Sequence, residues 1–544
     1  VEMGTETLNM KDVAKIPVIF GEKDIIKTIQ LLPGIKSNGE GGNGFTVRGG
    51  ATDQNLILLD EAPVYNASHL LGFFSTFNSD AIKDATIIKG NSPAQYGGRL
   101  SSVLDVKMKE GNNKKAEVTG GLGLISSRLS IEAPIQKGKS SFIISGRRTY
   151  ADVFLRATED FSDTRLYFYD LNAKANYAIN DKNKIYFSGY FGRDVLGLDN
   201  AFNTDWGNAT GTLRWNSIIN PKLFSNTSII YSDYDYNIGF VNGDSEFNIN
   251  SNIQDWNLKQ DFSFYPNPKN EIQFGLNAIY HTLTPSIITG TSINNPTQSV
   301  GRESLENAVY VTNKYTVNQK LTLDYGLRLS AYSILGGDTY NTYNNGELTS
   351  QLVLPAGEIG KTYFNLEPRI TSNYRINDKS SIKAGYSRNT QNLHLLSNST
   401  GGSPTDTWIG NSYNIKPEIA DQVSLGFSRN FKNNKFEFNA ETYYKNMQNQ
   451  VDYRDGADIF TATDVESELL FGKGRAYGLE LLLKKKTGKL TGWIGYTLSK
   501  TERQIDGINN NEWYNARQDR THDVSIVGIY EFNPRWTLSG TFIY

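Results

Sequence analysis

The stretch that decides the fold is GFTVRGGATDQNLILLDEAPVYN at residues 44–66, together with DAIKDATIIKGNSPAQYGGRLSSVLDVKMK at residues 80–109. Short apolar runs at residues 56–59, 85–88 and 103–106 alternate there with turns rich in Gly, Asn, Asp and Pro. This alternation predicts a compact domain of short strands, about 100 residues long. Upstream, Ile25, Ile29 and Leu32 share one helical face, and Pro33 and Gly34 predict where that helix ends.

The composition is polar, aromatic and rich in glycine. The 544 residues include 31 Tyr, 27 Phe, 7 Trp and 50 Gly, yet only 38% are hydrophobic and the mean hydropathy is -0.46. We find no apolar run of 18 residues, so the sequence predicts no transmembrane helix. Such a composition is typical of a transmembrane β-barrel, in which one face of each strand meets lipid. A soluble all-β protein shares the same alternation.

Several classes of function lack any signal in the sequence. There is no cysteine, and the formal net charge of -2 gives no indication of nucleic-acid binding. The four histidines are scattered and none has metal-ligand spacing to another: His69, His281, His394 and His522. We find no enzyme signature, and the sequence predicts neither a metal site nor a cofactor.

From residue 116 onward the pattern changes to strands with a period of two. In residues 321–331 the odd-numbered positions are almost all apolar, while Asp324 and Arg328 lie on the opposite face. Glu480 alternates in the same way with Leu479 and Leu481. A wide barrel with a polar lumen accommodates both faces, and so does a sandwich with its polar face outside.

The connections between these strands favour the barrel. Short turns recur at residues 136–139, 180–183, 220–222, 266–270, 318–320, 377–379, 432–435, 486–489 and 533–535. Longer polar connections lie between them, among them residues 284–304, 333–360, 388–417 and 453–473. Outer-membrane barrels have this asymmetry, with short periplasmic turns and long extracellular loops.

Several sequence motifs of the chain resemble those of TonB-dependent outer-membrane transporters, and they do not resemble the SusC-like branch of that family. The residues that resemble the plug domain of that family are Arg48-Gly49, Asp60, Pro63, Lys89-Gly90 and Tyr96-Gly97. Three segments resemble strands of the family's barrel: IKPEIADQVSLGF at residues 415–427, FEFNAETYYKNMQNQVDY at residues 436–453 and GRAYGLELLLKK at residues 474–485. The resemblance implies an N-terminal α+β plug at residues 1–114 inside an all-β transmembrane barrel at residues 115–544.

The resemblance also implies a function and a location. It implies TonB-dependent import of a scarce nutrient, such as an iron-siderophore, across the outer membrane of a Gram-negative bacterium. The partners would be outer-membrane lipids, an unknown imported ligand and TonB, which would bind a segment at or before residues 4–10. The alternative is a transporter-like structural subunit of an outer-membrane secretion or assembly complex, with partners in that complex.

Three charged residues are candidates for a contact that holds the plug in place. In the family, plug arginines pair with acidic residues of the inner barrel wall, which implies this role for Arg48, Arg99 and Glu480. A carboxylate in a confined lumen also requires a cationic partner on physical grounds. The alternative is that all three are solvated surface charges, as most Arg and Glu side chains are.

Three plug turns, at residues 39–44, 51–55 and 65–70, face outward by analogy with the family, in which such turns touch substrate. The candidate substrate contacts are Gln54, Asn55, Tyr65, Asn66 and His69, which mix hydrogen-bonding and aromatic groups. The alternative is ordinary turn chemistry, since Asn, Asp and Gly favour turns regardless of function. Turn preference explains Tyr65 and His69 least.

The short turns also predict the number of strands. If residues 116–135 hold two strands joined near Ile125, the nine turns give 19 strands, and one long strand there would give 18. The plugged barrels of the family have about 22 strands. We therefore expect the native polypeptide to continue beyond Tyr544.

Overall fold

The computed structural model describes residues 3–17, 22–38, 44–155, 162–198, 201–242, 245–290, 301–397, 403, 406–457 and 464–544. The N-terminal part consists of short elements: β1 (Thr5–Asn9), α1 (Met10–Val13), α2 (Ile25–Ile29), β2 (Ile35–Ser37), β3 (Phe45–Val47), a 3₁₀ turn (Thr52–Gln54), β4 (Asn55–Leu59), β5 (Ala62–Pro63), β6 (Ser68–His69), β7 (Phe74–Ser75), β8 (Ile82–Lys89) and β9 (Ser102–Met108).

These elements form a small α+β domain around a five-stranded sheet of order β1-β8-β9-β4-β5. The predicted helix is present as α2, where the Asp24 carboxylate caps the first turn by accepting from the Lys27 backbone N–H at 2.9 Å. Ile25 and Ile29 of α2 are almost fully buried and pack with Leu104 of β9 in one apolar core. Burial of these side chains holds the helix against the sheet.

The remainder of the chain is built from long strands and the elements of the loops between them. These are β10 (Glu117–Leu122), β11 (Ser126–Gln136), β12 (Ser140–Thr149), α3 (Ala151–Leu155), β13 (Arg165–Asn180), β14 (Asn183–Leu198), β15 (Phe202–Asn220), β16 (Leu223–Asn242), β17 (Ser245–Asn267), β18 (Asn270–Gly290), β19 (Arg302–Thr316), β20 (Leu321–Leu335), β21 (Asp338–Asn344), β22 (Glu347–Leu354), β23 (Ile359–Asn377), β24 (Ser380–Gln391), β25 (Leu393–Leu396), β26 (Thr407–Gly410), β27 (Glu418–Phe431), β28 (Phe436–Tyr453), β29 (Leu469–Lys485), β30 (Leu490–Ile505), β31 (Tyr514–Asn515), β32 (His522–Asn533) and β33 (Trp536–Ile543). Two 3₁₀ turns, Val465–Glu468 and Asn509–Asn511, lie in the loops.

One antiparallel sheet of 20 strands runs in chain order from β10 to β33. One of its members, β31, is a two-residue strand in a loop, so 19 strands form the wall in the described residues. This agrees with the count predicted from the short turns, including the break near Ile125, which separates β10 from β11. The hairpins β21–β22 and β25–β26 belong to loops and form separate two-stranded sheets.

The strands alternate between an apolar outer face and a polar inner face, as predicted. In β20, Leu327 and Leu329 are exposed by 42% and 45%, whereas Arg328 and Ser330 are buried on the inside. In β29, Leu479 is exposed and Glu480 is buried. An apolar outer band with polar groups inside is the pattern that lipid requires of a barrel.

The plug lies inside this barrel and contacts its inner wall from one side to the other. Ser126 of β11 bonds Glu22 of the plug, and on the far side Ser525 of β32 donates to the Leu31 carbonyl at 2.6 Å. The last plug strand ends at Met108 and the first barrel strand begins at Glu117. Among the described helices, none is long and apolar enough to cross a bilayer.

Candidate functional site

The main ionic contact between plug and barrel is centred on Arg48. Its guanidinium donates to Glu480 of β29 through Nε at 2.8 Å and Nη2 at 3.0 Å, and to Glu441 of β28 through Nη2 at 2.5 Å. Lys89, also in the plug, donates to Glu480 at 2.6 Å. We call Arg48, Lys89, Glu441 and Glu480 the ion cluster. Its two cations come from the plug and its two carboxylates from the barrel.

The ion cluster is largely closed to water. The Arg48 side chain is fully buried and Glu480 is 2% exposed. Burial alone would lower the pKa of Arg48, but the adjacent Glu480 and Glu441 carboxylates outweigh it and raise that pKa. The Arg48 Nη1 group donates to the Lys89 carbonyl at 3.0 Å, so all parts of the guanidinium have an acceptor. A buried charge requires this full pairing.

Two plug glycines next to Arg48 in the structure allow this close approach. Gly34 has a φ of +81°, and a Cβ atom there would lie 2.1 Å from Glu480 Oε1. Gly49 has a φ of +74°, and a Cβ atom there would lie 2.5 Å from the Ala476 Cβ. The glycine that follows Arg48 therefore lets the plug backbone reach the wall at β29.

A second buried contact centres on His69. Its Nδ1 lies 2.6 Å from Asp194 and its Nε2 lies 3.1 Å from the Tyr190 hydroxyl, with Asp170 at 3.5 Å. Arg147 of β12 bonds Asp170 at 2.9 Å and also donates to the Ser75 carbonyl of the plug at 2.8 Å. Phe168 stacks on the imidazole at 4.1 Å. The structure therefore places His69 against the barrel wall and not among the lining residues of the loop-side cavities described below.

The His69 contact is expected to weaken as the pH rises. Burial alone would lower the pKa of His69, but Asp194 and Asp170 raise it above its ordinary 6.5. A raised folded-state pKa means that the stabilisation is complete below about pH 6.5 and is lost as the pH rises through the folded value. We expect plug unfolding to require less denaturant at pH 9 than at pH 6, and His69→Gln to remove this component. An equal pH dependence in wild type and His69→Gln would contradict the assignment.

Barrel arginines bind the plug turn at residues 92–97 through its carbonyl oxygens. Arg369 of β23 donates to the carbonyls of Ser92 at 2.9 Å, Pro93 at 2.5 Å and Tyr96 at 2.7 Å, and pairs with Glu367 at 2.9 Å. Arg328 of β20 lies so close that a Cβ atom on Gly97 would meet its Nε at 2.3 Å. Arginines from two wall strands, β20 and β23, therefore contact the Tyr96-Gly97 motif. Sequence analysis missed both arginines, because their only local signal was an inward-facing position.

Two adjoining cavities open between the plug and the long loops, on the side opposite the short turns. The first, of about 60 Å³, is lined by Tyr65, Asn66, Arg99, Tyr234, Asp406 and Trp408, among others. The second, of about 90 Å³, lies beside it and is lined by Gln54, His394, Glu418 and Tyr514, among others. Both are lined by Thr52, Asp53 and Leu395.

Four of the five predicted substrate contacts line these cavities. Tyr65 lies edge-on to Trp408, with 5.0 Å between ring centroids, and its hydroxyl bonds Asp255 of the wall. Asn66 and Asn55 line the first cavity, but the Asn55 amide is committed to the Phe45 carbonyl at 2.7 Å. Gln54 lines the second cavity and donates to Glu418 at 3.1 Å. Of the three predicted turns, residues 39–43 lie outside the described residues.

Arg99 lies apart from Arg48 and Glu480. Its guanidinium is 5.2 Å from the Trp408 ring centroid, and its Nη1 donates to the Gly98 carbonyl at 2.8 Å. In the described part of the chain it forms no ion pair with a barrel carboxylate. The connection that precedes β9 directs it toward the first cavity, so the structure does not place Arg99 where a plug–wall ion pair would require it.

Residues 4–10, the predicted candidate for the TonB segment, belong mainly to strand β1. This strand pairs antiparallel with β8 from Thr5 opposite Ile88 to Asn9 opposite Asp84. Gly4 donates its backbone N–H to Glu441 at 3.1 Å, so the segment also contacts the ion cluster. Use of this segment by a partner would require it to separate from the plug sheet. Over the described residues, no group of three or more His, Cys, Asp or Glu side chains could hold a metal ion.

Comparison with known proteins agrees with this architecture. Residues 138–544 match the family described as TonB dependent receptor-like, beta-barrel, and residues 11–102 match the TonB-dependent Receptor Plug Domain. Comparison with curated protein sequences gives no significant match.

Solved structures similar to this chain share its fold at low sequence identity. The FrpB iron transporter from Neisseria meningitidis (F3-3 variant) is 15% identical with a TM-score of 0.70, covering 97% of this chain and 85% of its own. The siderophore receptor PirA from Pseudomonas aeruginosa is 14% identical with a TM-score of 0.68, covering 100% and 96%. The copper transporter OprC is 14% identical with a TM-score of 0.72, covering 99% and 86%. With the plug and most of the barrel matched, the chain belongs to the family of TonB-dependent receptors.

Proposed function

We propose that this protein imports a scarce nutrient across the outer membrane of a Gram-negative bacterium, in a TonB-dependent step that displaces the plug. The observation that carries the proposal is a plug seated in the lumen and joined to the wall by buried ion pairs on opposite sides. The plug would comprise residues 1–114 and the barrel residues 115–544.

The chemistry of the plug–barrel contact suits repeated opening. The plug contacts the wall through many ion pairs and hydrogen bonds, among them Arg48 to Glu480 and Lys174 of β13 to Asp60 at 2.9 Å. When such groups separate, water can solvate them, whereas an apolar interface would expose surface that water does not solvate. We propose that Arg48 and Glu480 hold the plug at rest and that force applied to the N-terminal segment separates them. Arg99 acts instead in the first cavity.

The ligand enters from the loop side in this proposal and meets the plug at the two cavities. Tyr65 and Asn66 would contact it in the first cavity, and Gln54 in the second. Structural neighbours with the same fold are described as iron, siderophore and copper transporters, so the fold alone does not determine which ligand is bound. In this proposal the side chains that line the two cavities determine the ligand.

Uptake is expected to depend on TonB and on the proton-motive force. A strain that lacks this protein should lose growth on one nutrient of a panel supplied at limiting concentration, and the wild-type gene should restore it. Restoration should fail in a TonB-deficient strain or after a protonophore is added. Uptake of a nutrient that uses an open porin serves as the control.

Truncation of the N-terminus is a poor test of TonB dependence. Leu8 of β1 and Val13 of α1 are part of the plug core, so removing the residues before Ile16 would damage the plug itself. Undiminished uptake without TonB would contradict the import proposal and would favour a structural subunit of an outer-membrane complex. Copurification with other outer-membrane proteins would then be the decisive measurement.

A further inference from the structure

The second loop-side cavity is lined by more carboxyl groups than cations. It is lined by three carboxylates, of Asp53, Glu418 and Asp452, and by two arginines, Arg503 and Arg517. Both arginines pair with Asp452, at 3.4 Å and 3.2 Å. Asp452 is therefore shared by two guanidinium groups, and Asp53 and Glu418 are the carboxyl groups of this cavity that form no ion pair with a described residue.

Neither Asp53 nor Glu418 forms an ion pair in the described part of the chain. Asp53 accepts from the Gln391 amide at 2.8 Å and from the Leu395 backbone N–H at 3.1 Å. Glu418 is 5% exposed and accepts from the Gln54 amide at 3.1 Å. These neutral donors hold the two carboxyl groups in place without an ion pair. A buried carboxyl group of this kind is costly to ionise unless a cation is supplied.

His394 independently points to a missing hydrogen-bond donor in the same cavity. Its side chain is 2% exposed, and its Nδ1 has no hydrogen-bond partner among the residues that the structure describes. Its Nε2 lies 2.9 Å from Asn411 Oδ1, and the Asn411 amide nitrogen is committed to Asn392 at 2.8 Å. Nε2 therefore carries the proton and Nδ1 is an open acceptor. Burial lowers the pKa of His394, which keeps the ring neutral at physiological pH.

Tyr514 supplies a further group without a partner. Its hydroxyl is buried and makes no hydrogen bond with the rest of the described chain, although the residue lines the same cavity. A hydroxyl can accept as well as donate. The cavity thus combines two carboxyl groups that form no ion pair with one imidazole nitrogen and one hydroxyl that have no hydrogen-bond partner among the described residues. Each of these groups can accept a hydrogen bond.

We propose that this cavity binds a positively charged group with several N–H donors, an ammonium or a guanidinium, carried by the imported solute. The inference rests on the proposed function and adds the chemical class of the ligand. Asp53 and Glu418 would balance the positive charge of the bound group, and His394 Nδ1 would accept a hydrogen bond from one of its N–H groups. A bare metal ion is disfavoured, because no set of three suitable ligands occurs among the described residues.

Binding of agmatine to the purified full-length protein in detergent tests the inference. Agmatine carries a guanidinium and an ammonium. In 4-guanidinobutyrate a carboxylate replaces the ammonium, so this zwitterion of zero net charge is the matched comparison, and glucose is the uncharged one. We expect calorimetric binding and a raised Tm with agmatine, weaker binding of 4-guanidinobutyrate and none of glucose. Glu418→Gln and Asp53→Asn should each weaken agmatine binding by roughly tenfold or more, since each removes a charge-assisted hydrogen bond. His394→Leu should weaken it less.

Controls separate this inference from loss of folding and from the import proposal. Asp181→Asn, at an exposed short turn, should bind agmatine as the wild type does, and heat-modifiable gel mobility should show each barrel folded. Absence of agmatine binding, or Zn²⁺ binding that requires His394, would overturn the cation site. Agmatine binding by a protein whose uptake is indifferent to TonB would leave the cation site standing and overturn only the import proposal.

Discussion

Replacing Glu480 by glutamine is expected to destabilise the seated plug by about 3–5 kcal/mol, because two buried cations lose their shared partner. Arg48 and Lys89 both bond Glu480, and after the change only Glu441 remains to balance them. Since the chain has no cysteine, Ala81→Cys in the plug core can serve as a single reporter. Thiol labelling in urea should begin at a much lower concentration in Glu480→Gln than in the parent.

Two comparison variants show whether charge balance is the cause. Lys89→Met combined with Glu480→Gln leaves one cation, Arg48, opposite one carboxylate, Glu441, and should recover part of the lost stability. Glu437→Gln removes an inward carboxylate of β28 that pairs with Lys486 of the barrel, and it should leave the plug unchanged. If Glu480→Gln unfolds its plug in urea as the parent does, the ion cluster contributes nothing to seating.

The pairing of Arg48 with Glu480 could be anticipated from sequence, but the composition of the cluster could not. The motif identified Arg48, and period-two alternation placed Glu480 inside the barrel. Glu441 became visible only from the strand register, which sets it directly opposite Glu480 on β28 and β29. Like charges at such positions repel one another, so the wall alone is strained there. Two plug cations remove this repulsion, which explains why Lys89 is needed beside Arg48.

The architecture was predicted more completely than the sites. Short turns, long loops and alternating faces are local patterns, and they gave the barrel, its strand count and the helix at residues 25–29. The position of His69 depends on which strands close around the plug turn, which no local pattern encodes. Arg369 and Arg328 were missed for the same reason, since an inward arginine does not show which carbonyls it will meet. The cavity lined by Glu418 and His394 likewise joins segments far apart in sequence.

Deletion of residues 1–114 is expected to convert a closed barrel into a conducting one. The plug contacts the wall from β11 to β32, and polar side chains line the lumen that it leaves. In planar bilayers the intact protein should show baseline conductance, and the deletion variant should show steady steps of the size seen for wide open barrels. Large steady conductance from the intact protein would contradict a closed resting state.

The inner wall itself indicates that the barrel should persist without its plug. Several of its charges are paired within the barrel, such as Arg147 with Asp170, Arg193 with Asp205 and Asp235, and Arg369 with Glu367. Other charges lose their partners with the plug: Glu441 and Glu480 face each other and lose both cations, and Lys174 loses Asp60. Water in an open lumen can solvate them, which limits the cost of their repulsion. Heat-modifiable gel mobility should therefore show a folded barrel in the deletion variant, and a barrel that fails to fold would mean that the plug is part of its core.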